Sequence, residues 1–540
     1  MRYRQRHEGD SPRMTFALLS AALVAAGIVV RVWQYLGRSA LWTDEAMLAN
    51  NIVTHSFERL LFAPLDHNQA APVGFLAIEK AAASLFGANE LALRAWPLVC
   101  AIVSLFLLWR IARLLLPDQA VPLALAPFAL APQLIFHAAE AKQYSSDVAI
   151  ALALVLLAIE LETRPFTTRR IVFAAAVGMI AVWLSQPAVL VTVGIGIVIV
   201  AFALIFRREK PLAPVVIIVS AWAVGIAAAV AVSVNHLAPA SHRYMTMFWG
   251  DGFWPMSLER GEILTWPLLR VASTLGSQLS LPRGIAVCSA ALAFVGAWGA
   301  WRRDRRAAML ILAPVLVTLG ASAARLYPFT ERLVLFLIPL LLLLLAAGVW
   351  AIVEALVPKR FVLAAVAAAT LLLIAVDGRA LRGAPPVYRR EEITPAIAYL
   401  RQHARAGDAS YVYYGAVPAF EFYMRDRLDS ASYVAGGCHR GDPRQYLTEL
   451  DAFRGRPRAW LLFAHELPRL RERALVLRYL DAIGDVRDSV IVRGHDADGN
   501  TSSVALYLYD LSDEAKLASA GASNFPIGAQ TTIDERLRCQ

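Results

Sequence analysis

The feature that most constrains this chain is a recurrence of apolar runs, each about 20 residues long, the length that a helix needs to cross a bilayer. The runs begin near Met14 and recur until about Val376. The chain of 540 residues is 58% hydrophobic and only 17% charged, which departs strongly from the composition of soluble proteins. We therefore predict a polytopic α-helical membrane region over residues 1–378 and a separate, more polar domain over residues 379–540.

The positive charge of the chain reports its orientation in the membrane. The formal net charge is +10, and the basic residues collect in alternate gaps between the apolar runs. These clusters are Arg2, Arg4 and Arg6; Arg110 and Arg113; Arg164, Arg169 and Arg170; Arg207, Arg208 and Lys210; Arg302, Arg303, Arg305 and Arg306; Lys359 and Arg360. Cytoplasmic loops carry such excess Lys and Arg, so the pattern predicts a cytoplasmic N-terminus and no nucleic-acid partner.

The predicted spans number about eleven. They cover 14–36, 90–115, 119–137, 147–162, a pair of helices that meet at 185–187, 212–234, 284–301, 307–325, 332–353 and 361–376. The first outer loop is too polar to span, but its amphipathic stretches at 45–62 and 72–86 predict helices that lie in the membrane interface. An odd number of spans puts the C-terminal domain outside the cytoplasm.

The C-terminal domain alternates helical and strand-like segments, which predicts a small α/β fold. Its last two strand-like segments, "DSVIVR" and "SVALYLYD", flank the turn "GHDADGNTS" and predict a β-hairpin. The two cysteines of this domain, Cys438 and Cys539, are candidates for a disulfide if this compartment is oxidising.

Titratable residues collect in the predicted outer loops, where the chemistry of the protein is expected. The chain has neither the GxxxxGK[ST] phosphate loop nor a GxGxxG motif after a strand, so the sequence gives no sign of nucleotide use. Transfer of a sugar from a lipid-linked phosphate fits such outer-face residues. The phosphate leaves as an anion that nearby cations stabilise, and a single carboxylate suffices as the base that deprotonates the acceptor hydroxyl.

Several motifs also resemble a known superfamily. They are "LWTDEAMLA", "NQAAPVGFLAIEK", "GANELALRAWPLV", "EAKQYSSD" and "YPFTERLVLFLIPLL". Together they resemble the GT-C membrane glycosyltransferases, and most of all the bacterial branch akin to protein O-mannosyltransferases and lipid A aminoarabinose transferases, of the glycosyltransferase family 39 kind. The resemblance covers residues 1–355. It implies a GT-C fold and a hexosyl- or pentosyltransferase in a bacterial plasma membrane, with its C-terminal domain in the periplasm or outside the cell.

The resemblance also implies roles for individual residues. Asp44 corresponds to the catalytic carboxylate of the first outer loop, with Glu45 beside it. Lys142, together with Tyr144, corresponds to the basic residue and tyrosine that meet the lipid phosphate, and Arg332 corresponds to a phosphate-binding arginine. The implied partners are a polyprenyl-phosphate sugar donor, membrane lipids and a glycan, lipid or protein acceptor.

Other features leave alternatives open. His67, Asn68 and Gln69 form part of a simple loop or contact the sugar or acceptor. His67, His137, His236 and His242 are candidate ligands of a divalent cation, although their spacing does not define a metal site. The aromatic residues between Tyr244 and Trp254 form an interface belt or stack on a sugar.

Structural explanations compete for two of these features. Asp44 and Glu45 also suit the first turn of a helix, where acids are favoured by the helix dipole. Arg94 is explained by an ion pair with Glu90, four residues earlier on the same helix.

Two other functional classes compete with the enzyme. A transporter or lipid flippase requires ionisable residues near the middle of the spans, and here these segments are almost uniformly apolar. A membrane scaffold that only displays the C-terminal domain has no need of the polar outer loops.

Overall fold

The computed structural model describes residues 10–206, 211–236, 239–255, 262–377, 387–427, 433–467, 470–497 and 500–527. We call residues 10–377 the membrane region and residues 387–527 the C-terminal region. The predicted domain boundary at 378/379 lies outside the described residues, as do the basic clusters at 2–6 and 207–210 and Cys539. The boundary therefore stays a prediction.

The membrane region is helical. Its α-helices are α1 (Asp10–Leu36), α2 (Thr43–Thr54), α3 (Phe57–Phe62), α4 (Val73–Phe86), α5 (Glu90–Leu115), α6 (Val121–Leu130), α7 (Pro132–His137), α8 (Tyr144–Thr163), α9 (Thr168–Leu184), α10 (Ala188–Ile205), α11 (Leu212–His236), α12 (Pro239–Phe248), α13 (Glu262–Gln278), α14 (Arg283–Arg303), α15 (Arg305–Ala323), α16 (Ile338–Leu356) and α17 (Val362–Asp377). Short 3₁₀ helices cover Asp118–Ala120, Gly250–Gly252, Glu331–Leu337 and Lys359–Phe361.

Within the described residues, eight helices are long and apolar enough to cross a membrane. They are α1, α5, α8, α10, α11, α14, α15 and the segment Glu331–Leu356, in which a 3₁₀ helix leads into α16. The prediction of a multi-pass membrane protein is confirmed.

The number eleven stays a prediction, because three of the predicted segments are short helices. α9 has 17 residues and α17 has 16. The segment predicted over 119–137 is divided into α6 and α7 at Ala131, directly before Pro132. Every residue of α6 is buried, so this helix lies inside the bundle instead of facing lipid.

Arg31 on α1 compensates for the break between α6 and α7. In a continuous helix the carbonyl of Phe128 would accept a hydrogen bond from residue 132, but Pro132 has no N–H. Arg31 Nη2 donates to Phe128 O at 2.7 Å and Arg31 Nη1 donates to Ala129 O at 2.8 Å. The helix break thus explains a cation that is buried among apolar helices.

The first outer loop forms the short helices α2, α3 and α4. The apolar side of α2, including Leu48 and Ile52, packs into one core with Phe420 and Phe422 of the C-terminal region. α2 is therefore covered by protein on this side, which the prediction of an interfacial helix did not include. Leu85 and Phe86, at the end of α4, are exposed.

The C-terminal region is an α/β fold, as predicted. Its elements are α18 (Thr394–His403), β1 (Ala409–Val412), α19 (Val417–Met424), β2 (Val434–Ala435), α20 (Arg444–Asp451), β3 (Ala459–Phe463), α21 (Glu472–Ile483), β4 (Asp485–His495), β5 (Thr501–Asp510) and α22 (Glu514–Ser519). The strands form one sheet in the order β2-β1-β3-β5-β4. β1 is parallel to β2 and β3, whereas β5 is antiparallel to β3 and β4. The predicted hairpin is β4–β5.

The central strand β3 shows how the two faces of this sheet are used. Its residues are all buried, and alternate side chains point to opposite faces. Trp460 and Leu462 pack in the core that α18 and α19 share with α2, whereas Leu461 and Phe463 pack in the core beneath α20 and α21. One face of the sheet therefore lies toward the first outer loop of the membrane region.

The structure tests one half of the predicted disulfide. Cys438 is disulfide-bonded, whereas Cys100 and Cys288 are free. Since Cys539 is not among the described residues, its pairing with Cys438 stays a prediction.

Candidate active site

The site is centred on Asp44, in the first turn of α2. Lys142 Nζ lies 3.0 Å from Asp44 Oδ1, and Arg332 Nη2 lies 3.0 Å from Asp44 Oδ2. Gln69 Nε2 also donates to Asp44 Oδ1, at 3.3 Å. The fold thus joins residues from three loops that are far apart in sequence, all of which the sequence analysis singled out.

The charge state of Asp44 follows from these two cations. Burial alone would raise the pKa of Asp44, but Lys142 and Arg332 hold it below the usual range, so the carboxylate is ionised at neutral pH. The side chain remains 20% exposed. Among the described residues, none donates a well-directed hydrogen bond to Asp44 Oδ2. Oδ2 is thus held by its ion pair with Arg332.

The loop at residues 66–69 brings Gln69 to the site through a backbone turn. His67 and Asn68 have φ values of 60° and 53°, in the left-handed region that non-glycine residues seldom adopt. Gln69 Oε1 accepts a hydrogen bond from Lys142 Nζ at 2.6 Å, so this side chain bridges the cation and Asp44. Asn68 instead accepts from Ser241 Oγ of α12 at 2.7 Å, and the side chain of His67 is exposed.

Arg332 is held among aromatic rings. Its guanidinium carbon lies 5.5 Å from the ring centroids of Trp42 and Tyr144 and 5.7 Å from that of Trp249. Such cation–π contacts fix a guanidinium that is partly removed from water. Tyr144 therefore supports Arg332 through its ring. Trp249, for which the sequence left an interface belt or sugar stacking open, also contacts Arg332.

The rest of the aromatic stretch packs away from Arg332 in different ways. Tyr244 stacks on Phe248, with ring centroids 5.8 Å apart, and Trp254 stacks on Trp266 at 5.5 Å. Trp254 thus packs against α13. Within this aromatic stretch, Trp249 contacts Arg332 whereas Trp254 supports the packing of a helix.

Glu45 lies in a different environment from its neighbour. Its side chain is 1% exposed, and Arg94 donates to both of its oxygens at 2.9 Å and 2.6 Å. The amides of Ala141 and Trp42 also donate to it, at 2.6 Å and 3.3 Å. Burial raises the pKa of Glu45, and Arg94 opposes the rise. The carboxylate is fully engaged in holding the loop together, and a catalytic role for Glu45 stays a prediction that this geometry does not favour.

The predicted pairing of Arg94 with Glu90 is wrong. Arg94 pairs with Glu45, and it also donates to the carbonyl of Ser39 at 2.7 Å. Glu90 accepts a hydrogen bond from Tyr423 Oη of the C-terminal region at 2.7 Å. Sequence spacing favoured a local partner, whereas the fold supplies one from another loop.

His137 and Glu140 hold Trp42 against the site. Glu140 Oε1 accepts from Trp42 Nε1 at 3.2 Å, and Glu140 Oε2 lies 2.6 Å from His137 Nδ1. Both residues are buried. From the sequence, His137 was a candidate metal ligand and Glu140 was the first residue of the motif "EAKQYSSD", but their part in placing Trp42 was not predicted.

The structure also tests the predicted histidine ligands. Within the described residues, no group of three His, Cys, Asp or Glu side chains is arranged to hold a metal ion. His137 is engaged with Glu140, whereas His67 and His242 are exposed. The side chain of His236 lies outside the described residues.

Residues of the C-terminal region contact the loop that carries Asp44, and no sequence motif pointed to them. Glu391 Oε2 accepts from the amide of Thr43 at 3.1 Å, and Glu391 Oε1 lies 2.7 Å from His465 Nδ1. The guanidinium carbon of Arg390 lies 4.0 Å from the ring centroid of Trp42. The charged run "YRREE" at 388–392 was the available signal, but such a run is common on solvated surfaces.

A comparison with solved structures finds distant likenesses that extend over most of this chain. ArnT from Cupriavidus metallidurans bound to undecaprenyl phosphate is 15% identical, with a TM-score of 0.48 over 90% of this chain and 97% of that chain. The Archaeoglobus fulgidus oligosaccharyltransferase in complex with Zn and sulfate is 11% identical, with a TM-score of 0.48 over 91% of this chain and 73% of that chain.

A further structure of the archaeal oligosaccharyltransferase AglB, with an inhibitory peptide and a dolichol-phosphate, is 10% identical, with a TM-score of 0.45 over 92% of this chain and 74% of that chain. ArnT and AglB are members of the GT-C superfamily, the one that the sequence motifs resemble. Neither a protein-family model nor a curated protein sequence matches this chain. At these identities and TM-scores, the reaction and substrates of this chain have to be inferred from its own site.

Proposed function

We propose that this chain is a membrane glycosyltransferase that moves a hexose or pentose from a polyprenyl-phosphate carrier to a hydroxyl group on the outer side of the membrane. The acceptor class is a cell-envelope glycan, lipid or protein. The observation that carries the proposal is Asp44, a carboxylate held between Lys142 and Arg332, at 3.0 Å from each, in a multi-pass membrane protein. The resemblance of the surrounding motifs to GT-C enzymes supports it.

The reaction is a single displacement at the anomeric carbon. Asp44 takes the proton of the acceptor hydroxyl as the acceptor oxygen forms a bond to that carbon. The bond between the anomeric carbon and the phosphate oxygen breaks, and its electron pair leaves with the polyprenyl phosphate. Attack from the face opposite the leaving group inverts the anomeric configuration.

Lys142 and Arg332 serve the leaving group in this scheme. The phosphate gains negative charge as the bond breaks, and fixed cations stabilise that charge without reorganising. The planar guanidinium of Arg332 suits two phosphate oxygens at once, whereas the ammonium of Lys142 acts as a compact charge. No general acid is needed, because a phosphate leaves as a stable anion.

The same two cations explain how Asp44 changes from a weak base to a stronger one. In the free protein they lower the pKa of Asp44. When the donor phosphate binds between them, its negative charge offsets theirs, so the pKa of Asp44 rises toward the value of an ordinary carboxyl group. Donor binding thus prepares the base for the acceptor.

The direct test is release of polyprenyl phosphate by the purified full chain in lipid nanodiscs, with a panel of polyprenyl-phosphate hexoses and pentoses and a mixture of envelope acceptors. We expect at least one donor to give release, and Asp44→Asn to reduce its rate about 10³-fold, a typical effect of losing a general base. Asp66→Asn is the matched control, since Asp66 lies in the same loop, is 55% exposed and pairs with His55 and Arg59. It should keep the wild-type rate.

The outcomes separate the functional classes. Release that is equally fast in Asp44→Asn would refute Asp44 as the base. Movement of a polyprenyl-phosphate sugar across the bilayer without cleavage would favour the flippase. A protein that neither cleaves nor moves any donor of the panel would contradict the proposed function.

A further inference from the structure

The four consecutive backbone amides that precede Asp44 each donate a hydrogen bond to a side chain. In chain order, Ala40 N–H donates to Glu392 Oε1 at 2.9 Å, Leu41 N–H to Tyr423 Oη at 2.8 Å, Trp42 N–H to Glu45 Oε2 at 3.3 Å and Thr43 N–H to Glu391 Oε2 at 3.1 Å. Apart from Glu45, the acceptors belong to the C-terminal region, more than 300 residues away in the sequence. The approach to Asp44 is therefore fixed largely by the C-terminal region.

Among these acceptors, Glu391 acts nearest to Asp44 along the chain, because it binds Thr43, the residue directly before Asp44. Thr43 Oγ1 lies 3.1 Å from Glu391 Oε2 and 2.7 Å from the carbonyl oxygen of Gly415, so its hydroxyl donates to the C-terminal region as well. The other oxygen, Glu391 Oε1, lies 2.7 Å from His465 Nδ1. Glu391 is buried, and both of its oxygens are engaged.

The position of Thr43 explains why an outside carboxylate is useful there. The first N–H groups of an α-helix have no partner within the helix, and a Ser, Thr, Asp or Asn side chain usually caps them. α2 is preceded by Trp42, whose side chain has no oxygen to offer. Glu391 supplies that oxygen, and its negative charge is also favourable at the positive end of the helix.

The charge needed for this role is present. Burial alone would raise the pKa of Glu391, but the neighbouring His465, the amide of Thr43 and Arg390 hold it below the usual range. Arg390, the residue before Glu391, lies over the ring of Trp42. The centroid of the same ring is 5.5 Å from the guanidinium carbon of Arg332. Residues 390–392 thus contact the loop at Ala40, Trp42 and Thr43, which directly precede Asp44.

We propose that Glu391 is a positioning residue for Asp44, held in turn by His465, and that the C-terminal region is part of the catalytic unit. This inference rests on the proposed function of Asp44 as the base. Glu391 touches neither donor nor acceptor; it fixes the first turn of α2 so that the carboxylate of Asp44 points at the acceptor hydroxyl.

The test compares Glu391→Ala with Glu391→Gln in the full chain. A misplacement of about 1 Å costs a catalyst about 10²-fold, so Glu391→Ala should lose about that factor in kcat. Its KM for the donor should change less than about threefold, because the phosphate contacts of Lys142 and Arg332 remain. Glu391→Gln keeps an oxygen for the amide of Thr43 and should recover most of the loss.

Asp408→Ala is the matched control. Asp408 is also a buried carboxylate of the C-terminal region, and it accepts from Arg458 Nε and from Trp460 Nε1 at 2.9 Å and 2.8 Å. It makes no hydrogen bond or ion pair to residues 40–44 among the described residues. Its loss should lower the stability of the region as Glu391→Ala does, while kcat stays close to that of the wild type.

Hydrogen exchange provides a readout that does not depend on catalysis. Within residues 40–44, the amide of Thr43 should exchange at least about tenfold faster in Glu391→Ala than in the wild type, since it loses its acceptor, and Asp408→Ala should leave it protected. If the wild type transfers no sugar, the proposed function fails while the exchange data still test the grip on the loop. Unchanged exchange at Thr43, or equal losses of kcat in Glu391→Ala and Asp408→Ala, would overturn the positioning role.

Discussion

Two carboxylates stand side by side in the first turn of α2, yet their surroundings differ in one decisive respect. The Asp44 side chain is 20% exposed, and its two cations come from separate loops. The Glu45 side is closed, and Arg94 and two amides occupy its oxygens. Pairing with a cation is therefore not what distinguishes a reactive carboxylate from a structural one. The distinction lies in whether a substrate can reach the group and replace part of its pairing.

The largest effect on the open side is expected from Arg332. Replacing it by methionine should lower kcat/KM about 10³-fold, the upper range for removing one electrostatic contact to a developing anion. The rate of polyprenyl phosphate release measures this. Arg325→Met is the control, because Arg325 is exposed in the preceding loop. If kcat/KM fell less than tenfold in Arg332→Met, the result would contradict a role of Arg332 in binding the phosphate.

The closed side should respond through stability. Glu45→Gln leaves the buried guanidinium of Arg94 without its counter-charge, which typically costs about 3 kcal/mol or more. The expected result is a marked drop in the thermal unfolding temperature in detergent or nanodiscs. Asp44→Asn should lose less stability, because Arg332 is 21% exposed and Lys142, although buried, keeps Gln69 Oε1 as a partner at 2.6 Å. An unchanged unfolding temperature in Glu45→Gln would show that the two sides do not differ as described.

Lys142 should have a smaller effect than Arg332, because it acts as a single charge. Lys142→Met should lower kcat/KM about 10²-fold, and Lys142→Arg should keep most of the activity because the cation is retained. The control is Lys80→Met, since Lys80 donates to the carbonyl of Val53 at 3.1 Å, away from Asp44. Equal losses in the methionine and arginine variants would mean that shape, and not charge, is what matters at this position.

The smallest predicted effect is a difference between two pH profiles. In the free enzyme the pKa of Asp44 is lowered, so kcat/KM should stay level as the pH falls until it passes below the ordinary carboxyl range. Bound phosphate offsets the two cations, so the acid limb of kcat should lie about one pH unit higher than that of kcat/KM. Acid limbs at the same pH would contradict the idea that the donor raises the basicity of Asp44.

The parts of this protein that could be predicted from sequence are those with local causes. Apolar runs set the long spans, alternation and a turn set the β4–β5 hairpin, and the polar outer loops contained Asp44, Lys142 and Arg332. A carboxylate and cations in loops facing the same side can be expected to meet, even when their distances cannot be known in advance.

What the sequence did not show depends on contacts between distant segments. The break before Pro132 is tolerated because Arg31 replaces the missing donor from another helix. Arg94 pairs with Glu45 and not with Glu90 on its own helix, because the fold brings Glu45 within 2.6 Å of its guanidinium. The cap that Glu391 provides to α2 joins residues 348 positions apart, and no periodicity or motif encodes such a pair.

The central claim is that Asp44 alone is the base and Glu45 is structural. The most direct measurement is the release of polyprenyl phosphate per folded molecule by Asp44→Asn and by Glu45→Gln, side by side at a temperature where both are folded. The account predicts a loss of about 10³-fold for Asp44→Asn and less than about tenfold for Glu45→Gln. Equal losses in the two variants, or a wild-type rate in Asp44→Asn, would contradict it.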